Sequence, residues 1–147
     1  MKIERPNPGT SADMRDILQG RRLRRLRQND WTRRLVRETT VTVDDLIWPL
    51  FVIDVHDRRD EVATMPGVDR LTIDHVVRDV EKAAKLGIPA IALFPYTDNA
   101  LRDPDGSEAL NGDNLVCRTV RAIKDAVPEI GIVTDVALDP YTSHGHD

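Results

Sequence analysis

The stretch Asp45–Asp54 reads DLIWPLFVID, and from Leu46 to Ile53 it holds eight residues uninterrupted by a charge. A run of that kind suits a strand buried on both faces of a parallel sheet. Pro49 lacks a backbone donor, which restricts the strand to an edge, a bulge or a place where a ladder bond is missing. Two further apolar runs follow, Ala90–Tyr96 (AIALFPY) and Gly131–Leu138 (GIVTDVAL). The three runs start near residues 46, 90 and 132, at intervals of 44 and 42. Each interval holds one amphipathic helix. The first has Thr72 or Asp74 as its cap, and Ile73, Val76, Val77, Val80, Ala83 and Ala84 form its apolar stripe. Gly87 stands at the position that follows a helix C-terminus, and Pro89 forbids continuation. Asp113 or Asn114 caps the second helix, with Val116, Val120, Ile123 and Val127 on one face and Pro128 closing it. Strand–helix–strand alternation at near-constant period predicts parallel crossovers and an α/β fold. Val55–Arg70, with the turn signal Met65-Pro66-Gly67, and Thr97–Gly112 read as loops.

Composition limits what the chain can be. Its 147 residues amount to one domain, 40% hydrophobic and 31% charged, a globular balance. No apolar run approaches the roughly 20 residues of a membrane span. The polar, proline-bearing start, Met1–Asp13, lacks a secretory h-region. Cys117 is the only cysteine, so neither an internal disulfide nor a cysteine-rich zinc module is expected. The expected compartment is the cytoplasm, with no membrane partner. Charge is divided: residues 1–40 carry eleven basic and five acidic side chains, and residues 41–147 carry ten and twenty. The basic excess lies in Arg21, Arg22, Arg24, Arg25 and Arg27. Nucleic acid or an anionic membrane would attract such a stretch, but aromatic interleaving is absent apart from Trp31. The favoured reading is an arm that packs on the acidic body of the same or a neighbouring chain, with no nucleic-acid partner.

Candidate chemistry gathers in the tail Thr134–Asp147, TDVALDPYTSHGHD. It follows the third strand, at the sheet edge where parallel α/β proteins build their sites. Asp135 and Asp139 flank the strand end; Thr142, Ser143, His144, His146 and Asp147 follow. In an extended segment His144 and His146 project to one side. The set suits a divalent cation, acid–base or substrate contact, or ordinary polar loop packing. Elsewhere, His56 and His75 read as solvated or locally bonded, and Cys117 as a small half-buried side chain. Asp98, Asp103, Asp105 and Glu108 read as solvated loop residues, near what would be an active face.

These segments together carry a resemblance. DVALDPYTSHGHD, with IWPLFV, ALFPYTD and GSEALNGDNLVCR upstream, resembles porphobilinogen synthase (5-aminolevulinate dehydratase) from about Arg21 to Asp147. The resemblance implies a (β/α)8 TIM barrel with an N-terminal arm, of which this chain holds only about the first three strands. It places the arm in residues 1–35 and the incomplete barrel in 36–147. It implies a homo-octamer joined through the arm, and a lyase that condenses two 5-aminolevulinate molecules into porphobilinogen for haem and related tetrapyrroles. Two Schiff-base lysines belong to that reaction. Lys2, Lys82, Lys85 and Lys124 are the only lysines here and match none of the family's lysine motifs, so the chain alone is expected to be inactive. Zinc-type members carry three cysteines where this chain has Ala137, Asp139 and Asp147. The resemblance therefore implies the zinc-independent, magnesium-responsive type, with magnesium bound mostly outside this chain and Asp139 and Asp147 as possible metal ligands. Asp135, Asp139 and Asp147 are the supporting catalytic residues implied, Asp135 by tuning a nearby imine or amine. His144 and His146 match the family tail without separable roles. Two rivals stand beside this reading: a truncated, non-catalytic interaction module that associates with intact subunits through the arm, and an unrelated barrel enzyme such as an aldolase.

Overall fold

The computed structural model describes residues 25–146. Arg21, Arg22 and Arg24, Lys2 and Asp147 lie outside the described residues, and so does the side chain of Arg25. Two compact units separate, one up to Thr40 and one from Val41 onward. In the first, helix α1 (Asp30–Leu35) is held by the Thr32 hydroxyl, which donates to the Asn29 carbonyl at 2.8 Å, and by an exposed Arg33–Asp30 pair at 3.5 Å. Trp31 and Leu35 are exposed.

The second unit is a five-stranded sheet with two helices. In chain order it runs β1 (Ile47–Ile53), β2 (Arg59–Glu61), β3 (Asp69–Leu71), α2 (Ile73–Lys85), β4 (Ala90–Tyr96), α3 (Leu115–Ala126) and β5 (Gly131–Thr134). The strand order is β2-β3-β1-β4-β5. The three long runs pair as parallel neighbours, Ile47↔Ala90 through Ile53↔Tyr96 and Ala90↔Gly131 through Leu93↔Thr134. β3 joins β1 only at Phe51 and Val52, so the β3 side of β1 is unpaired at Pro49, where a missing donor does little harm.

Three sequence expectations are corrected. The segment 55–70 is not all loop: β2 and β3 form an antiparallel hairpin whose β3 extends the sheet beside β1. Their sequences, RDE and DRL, show no apolar alternation, and side-chain pairing holds them instead. The Arg59 guanidinium reaches the buried Asp79 at 2.7 Å and Asp69 at 3.5 Å, and Arg70 lies 4.9 Å over the Tyr96 ring. β5 ends at Thr134 rather than Leu138, because pairing with β4 stops at Leu93↔Thr134. Finally, the two helices cover the sheet on one face only.

That covered face forms the core. Leu50, Val52, Ile91 and Leu93 meet Val76, Val80 and Ala83 of α2 and Leu115 and Ile123 of α3. Alternation sends the intervening residues to the other side. There Ile47, Phe94, Tyr96 and Val133 stay exposed, and the Phe51 and Phe94 rings lie 5.9 Å apart. Helix ends are set locally. The Asn114 side chain accepts from the Cys117 amide at 2.9 Å, an N-cap. At the end of α2, the Gly87 and Ile88 amides donate to Ala84 and Ala83, and Gly87 takes φ 81°. This is a Schellman motif, whose left-handed residue favours glycine.

Truncating Ile91 to Ala should lower the unfolding free energy by about 2–5 kcal/mol in urea denaturation. Asn114→Ala should cost about 1 kcal/mol through the lost cap.

Candidate active site

Parallel strands deliver their C-terminal ends to one edge, and the polar residues just beyond those ends define the candidate site. Asp54 follows β1, Thr97 and Asp98 follow β4, and Asp135 follows β5. Two of these carboxylates are engaged structurally. Asp54 pairs with Arg118 of α3, and that hydrogen bond raises the guanidinium further above its usual range. Asp98 accepts the Ala100 amide at 2.9 Å. Asp135 is exposed directly after β5, and Asp139 is exposed within the turn in which the Tyr141 and Thr142 amides donate to Leu138.

The loop after β4 and the tail after β5 are joined by backbone. The Asp103 amide donates to the Tyr141 carbonyl at 3.3 Å, and the Ser143 amide donates to the Asp103 carbonyl at 2.9 Å. The Asp103 carboxylate meanwhile accepts the Asp105 and Ser107 amides at 2.9 and 3.0 Å. Those bonds, chiefly from Ser107, hold its pKa below the ordinary carboxyl value. Gly106, at φ 63°, lies beneath the tail: a Cβ there would meet Thr142 Cγ2 at 3.4 Å. Thr142 is buried, and its hydroxyl donates to the His146 carbonyl at 2.8 Å. Burial raises the half-buried Tyr141 phenol above its usual range. Asp98, Asp103 and Glu108 are therefore not simply solvated; Glu108 accepts from the Asn111 side chain at 3.2 Å. The signal for Asp103 was its own motif, Asp-Pro-Asp-Gly, in which a carboxylate folds onto amides two and four residues ahead.

The tail is not extended. Gly145 takes φ 70°, yet the His144 and His146 rings still stack, 6.0 Å apart and 16° from parallel. Of the other predicted site residues, Ser143 is exposed and Asp147 is outside the described residues.

A second cluster lies beside α2, where ligand atoms of Asp57, Asp74 and His75 come within 4.8 Å of one another. Its chemistry is already committed. The Arg59 Nε–H donates to His75 Nδ1 at 3.2 Å, so Nδ1 bears the lone pair. Nε2 then carries the hydrogen and donates to Asp57 Oδ1 at 3.2 Å. The cluster is an ion-pair network that latches the β2–β3 hairpin, in keeping with a locally bonded His75. His56 lies near it, beside Asp54, Asp74, Arg78 and Arg118.

Residues 20–147 match the family model described as delta-aminolevulinic acid dehydratase. The chain belongs to that family. It is 63% identical over 126 residues to the delta-aminolevulinic acid dehydratase of Bradyrhizobium diazoefficiens, covering 86% of this chain and 36% of that protein. It is 43% identical over 125 residues to the Synechocystis sp. enzyme, covering 85% of this chain and 38% of that one. The fold is similar to the crystal structure of delta-aminolevulinic acid dehydratase (porphobilinogen synthase) from Toxoplasma gondii ME49 in complex with porphobilinogen. That likeness has a TM-score of 0.78 at 41% identity and covers 86% of this chain and 36% of that one. The chain thus spans well under half the length of these dehydratase relatives. Among the described residues no helix is long and apolar enough to cross a membrane.

The Asp103 bonds generate a pH dependence. Folding lowers this pKa, so its stabilisation is complete above the unfolded value of about 3.9 and is lost as pH falls through the lower folded value. Hydrogen exchange should show the Asp105 and Ser107 amides losing protection on acidification below about pH 4. Asp103→Asn should lower their protection already at neutral pH, with no further loss in acid.

Proposed function

We propose that this chain supplies the first β/α units of a porphobilinogen synthase, a hydro-lyase that condenses two 5-aminolevulinate molecules into porphobilinogen with loss of two waters. One observation carries the reading. In a chain whose residues 20–147 match the dehydratase family, the acidic and histidine-bearing tail emerges at the C-terminal edge of the parallel sheet. A (β/α)8 barrel is the architecture that would close over the uncovered face, because Phe51, Phe94, Tyr96 and Val133 would then line its interior. The remaining strands would come from the length that the relatives have beyond this segment.

Chemical roles follow from position. A Schiff-base lysine must present a neutral amine at the catalytic mouth. Lys82 and Lys85 sit in the last turn of α2, with Lys82 on Asp79 at 3.3 Å. Lys124 Nζ donates to the Pro128 and Ile130 carbonyls, ahead of β5 and at the opposite end of the sheet. The amine nucleophiles of this reading therefore belong to chain outside these residues. Asp135, exposed on the rim, would tune the charge of a nearby imine or amine; Asp139 and Asp147 would contact substrate or a cation.

The donor set of the tail is oxygen-rich. Ala137, Asp139 and Asp147 offer no thiolate, and Cys117 is half-buried on α3. Carboxylates of this kind fit magnesium rather than thiolate-held zinc, and Asp139 and Asp147 would contribute ligands to a site that lies mostly outside this chain. Bound magnesium would supply a fixed positive charge for oxygen ligands. This supports assignment to the zinc-independent, magnesium-responsive type. The charge division between residues 1–40 and 41–147 supports an arm that packs on an acidic body of the same or a neighbouring chain, and the family resemblance implies that it joins a homo-octamer. The single cysteine supports a cytoplasmic location.

Incubating the chain with 5-aminolevulinate and borohydride should trap no adduct on Lys82, Lys85 or Lys124. A longer polypeptide carrying this segment should form porphobilinogen and resist a zinc-selective chelator. Its rate should fall at least about 100-fold in Asp135→Asn. An adduct on any of the three lysines, or no pyrrole from the longer polypeptide, overturns the reading.

A further inference from the structure

The two tail histidines differ in the partners of their ring nitrogens. His144 Nε2 lies 3.2 Å from the Pro104 carbonyl oxygen. A carbonyl can only accept, so this nitrogen must carry a hydrogen. His144 Nδ1 lies 3.2 Å from the His146 amide nitrogen. An amide can only donate, so Nδ1 must offer its lone pair. The two partners, Pro104 and His146, lie 42 residues apart in sequence and demand the same tautomer. Both His144 nitrogens are thereby occupied. The His146 side chain makes a ring stack on His144, and its nitrogens have no hydrogen-bond partner among the described residues.

We propose that His144 is a positioning residue locked as the Nε2–H tautomer, and that His146 is the imidazole of the pair presented to a ligand. The lock is built from both sides of the site. Pro104 is held in place because the neighbouring Asp103 carboxylate gathers the Asp105 and Ser107 amides and the Asp103 backbone binds Tyr141 and Ser143. The tail end is held because Thr142 donates to the His146 carbonyl. With its amide on His144, its carbonyl on Thr142 and its ring against the His144 ring, His146 is fixed in direction, and neither ring nitrogen has a partner among the described residues. Such a group can make a directed hydrogen bond to a polar substrate atom. The lock itself is independent of the proposed reaction; only the substrate-facing role of His146 rests on it.

Long-range proton–nitrogen NMR of the 147-residue chain tests the lock directly. His144 should show a protonated Nε2 and a lone-pair Nδ1, while His146 exchanges between tautomers. His144 in the Nδ1–H form, or averaging like His146, overturns the proposal. Diethylpyrocarbonate modification followed by peptide mapping provides a second readout. His144 should react about tenfold more slowly than His146, the factor expected when one hydrogen bond must open first. Asp103→Asn, which loosens the loop bearing Pro104, should bring the two rates together, while Asp105→Asn should leave them apart. Equal rates in the unaltered chain, or an undiminished gap in Asp103→Asn, count against the lock. In the longer enzyme, His146→Gln should raise KM for 5-aminolevulinate. His144→Gln, which keeps a donor for Pro104, should raise it less. A KM unchanged in His146→Gln removes the substrate-facing role of His146. An inactive longer enzyme with the tautomer intact would count against the reaction alone.

Discussion

Parallel registration of β1, β4 and β5 is the constraint from which the remaining architecture follows. Because Ile47 pairs with Ala90 and Ala90 with Gly131, the three strands start level, and each chain reversal must be made by a helix that crosses back. Both helices pack on the same face, so one side of the sheet becomes core and the other stays open. The same registration delivers Asp54, Thr97 and Asp135 to a single edge, though 81 residues separate the first from the last. A candidate site arises there because strand polarity brings the ends together, before any of these side chains touches another.

Local physics was legible wherever it acted within a few residues. The bounds of β4 coincide with its apolar run, Gly87 occupies the left-handed position after α2, and Asn114 caps α3. Each of these depends on a backbone preference or a short-range bond that the residue type announces. Reading weakened where the deciding partner was distant. The strands RDE and DRL have no pattern of their own; they exist because β1 has a free edge and Arg59 finds Asp79 twenty residues away. The run GIVTDVAL continues apolar past Thr134, but β4 pairing ends there, and Val136 is almost fully exposed. Burial on both faces was inferred from the richness of β1 in apolar residues, whereas within this chain the helices cover only one.

The candidate site divides in the same way. Its placement at the end of the third strand could be read from order; spacing predicts the two histidines on one side of an extended segment, whereas their rings stack across a turn at Gly145. The inequality of those rings could not be read, since it depends on Pro104. Nor could the service performed by Asp103, whose carboxylate shapes one loop while its backbone binds another. Acidic residues in a Gly/Pro loop look alike in sequence; amide contacts sort them into structural ones, such as Asp98 and Asp103, and the exposed Asp135 beyond β5. His75 illustrates the same sorting, because a guanidinium on one nitrogen fixes what the other can do.

The open side of the sheet has a bearing on biosynthesis. A nascent polypeptide that has left the ribosome as far as this segment can already close its helical layer, yet it still displays Phe94, Tyr96 and Val133 side by side. Such a surface is sticky towards other nascent chains and towards chaperones for as long as it stays exposed. The rate of translation, as much as the stability of the finished fold, would then govern how much of the product escapes clumping.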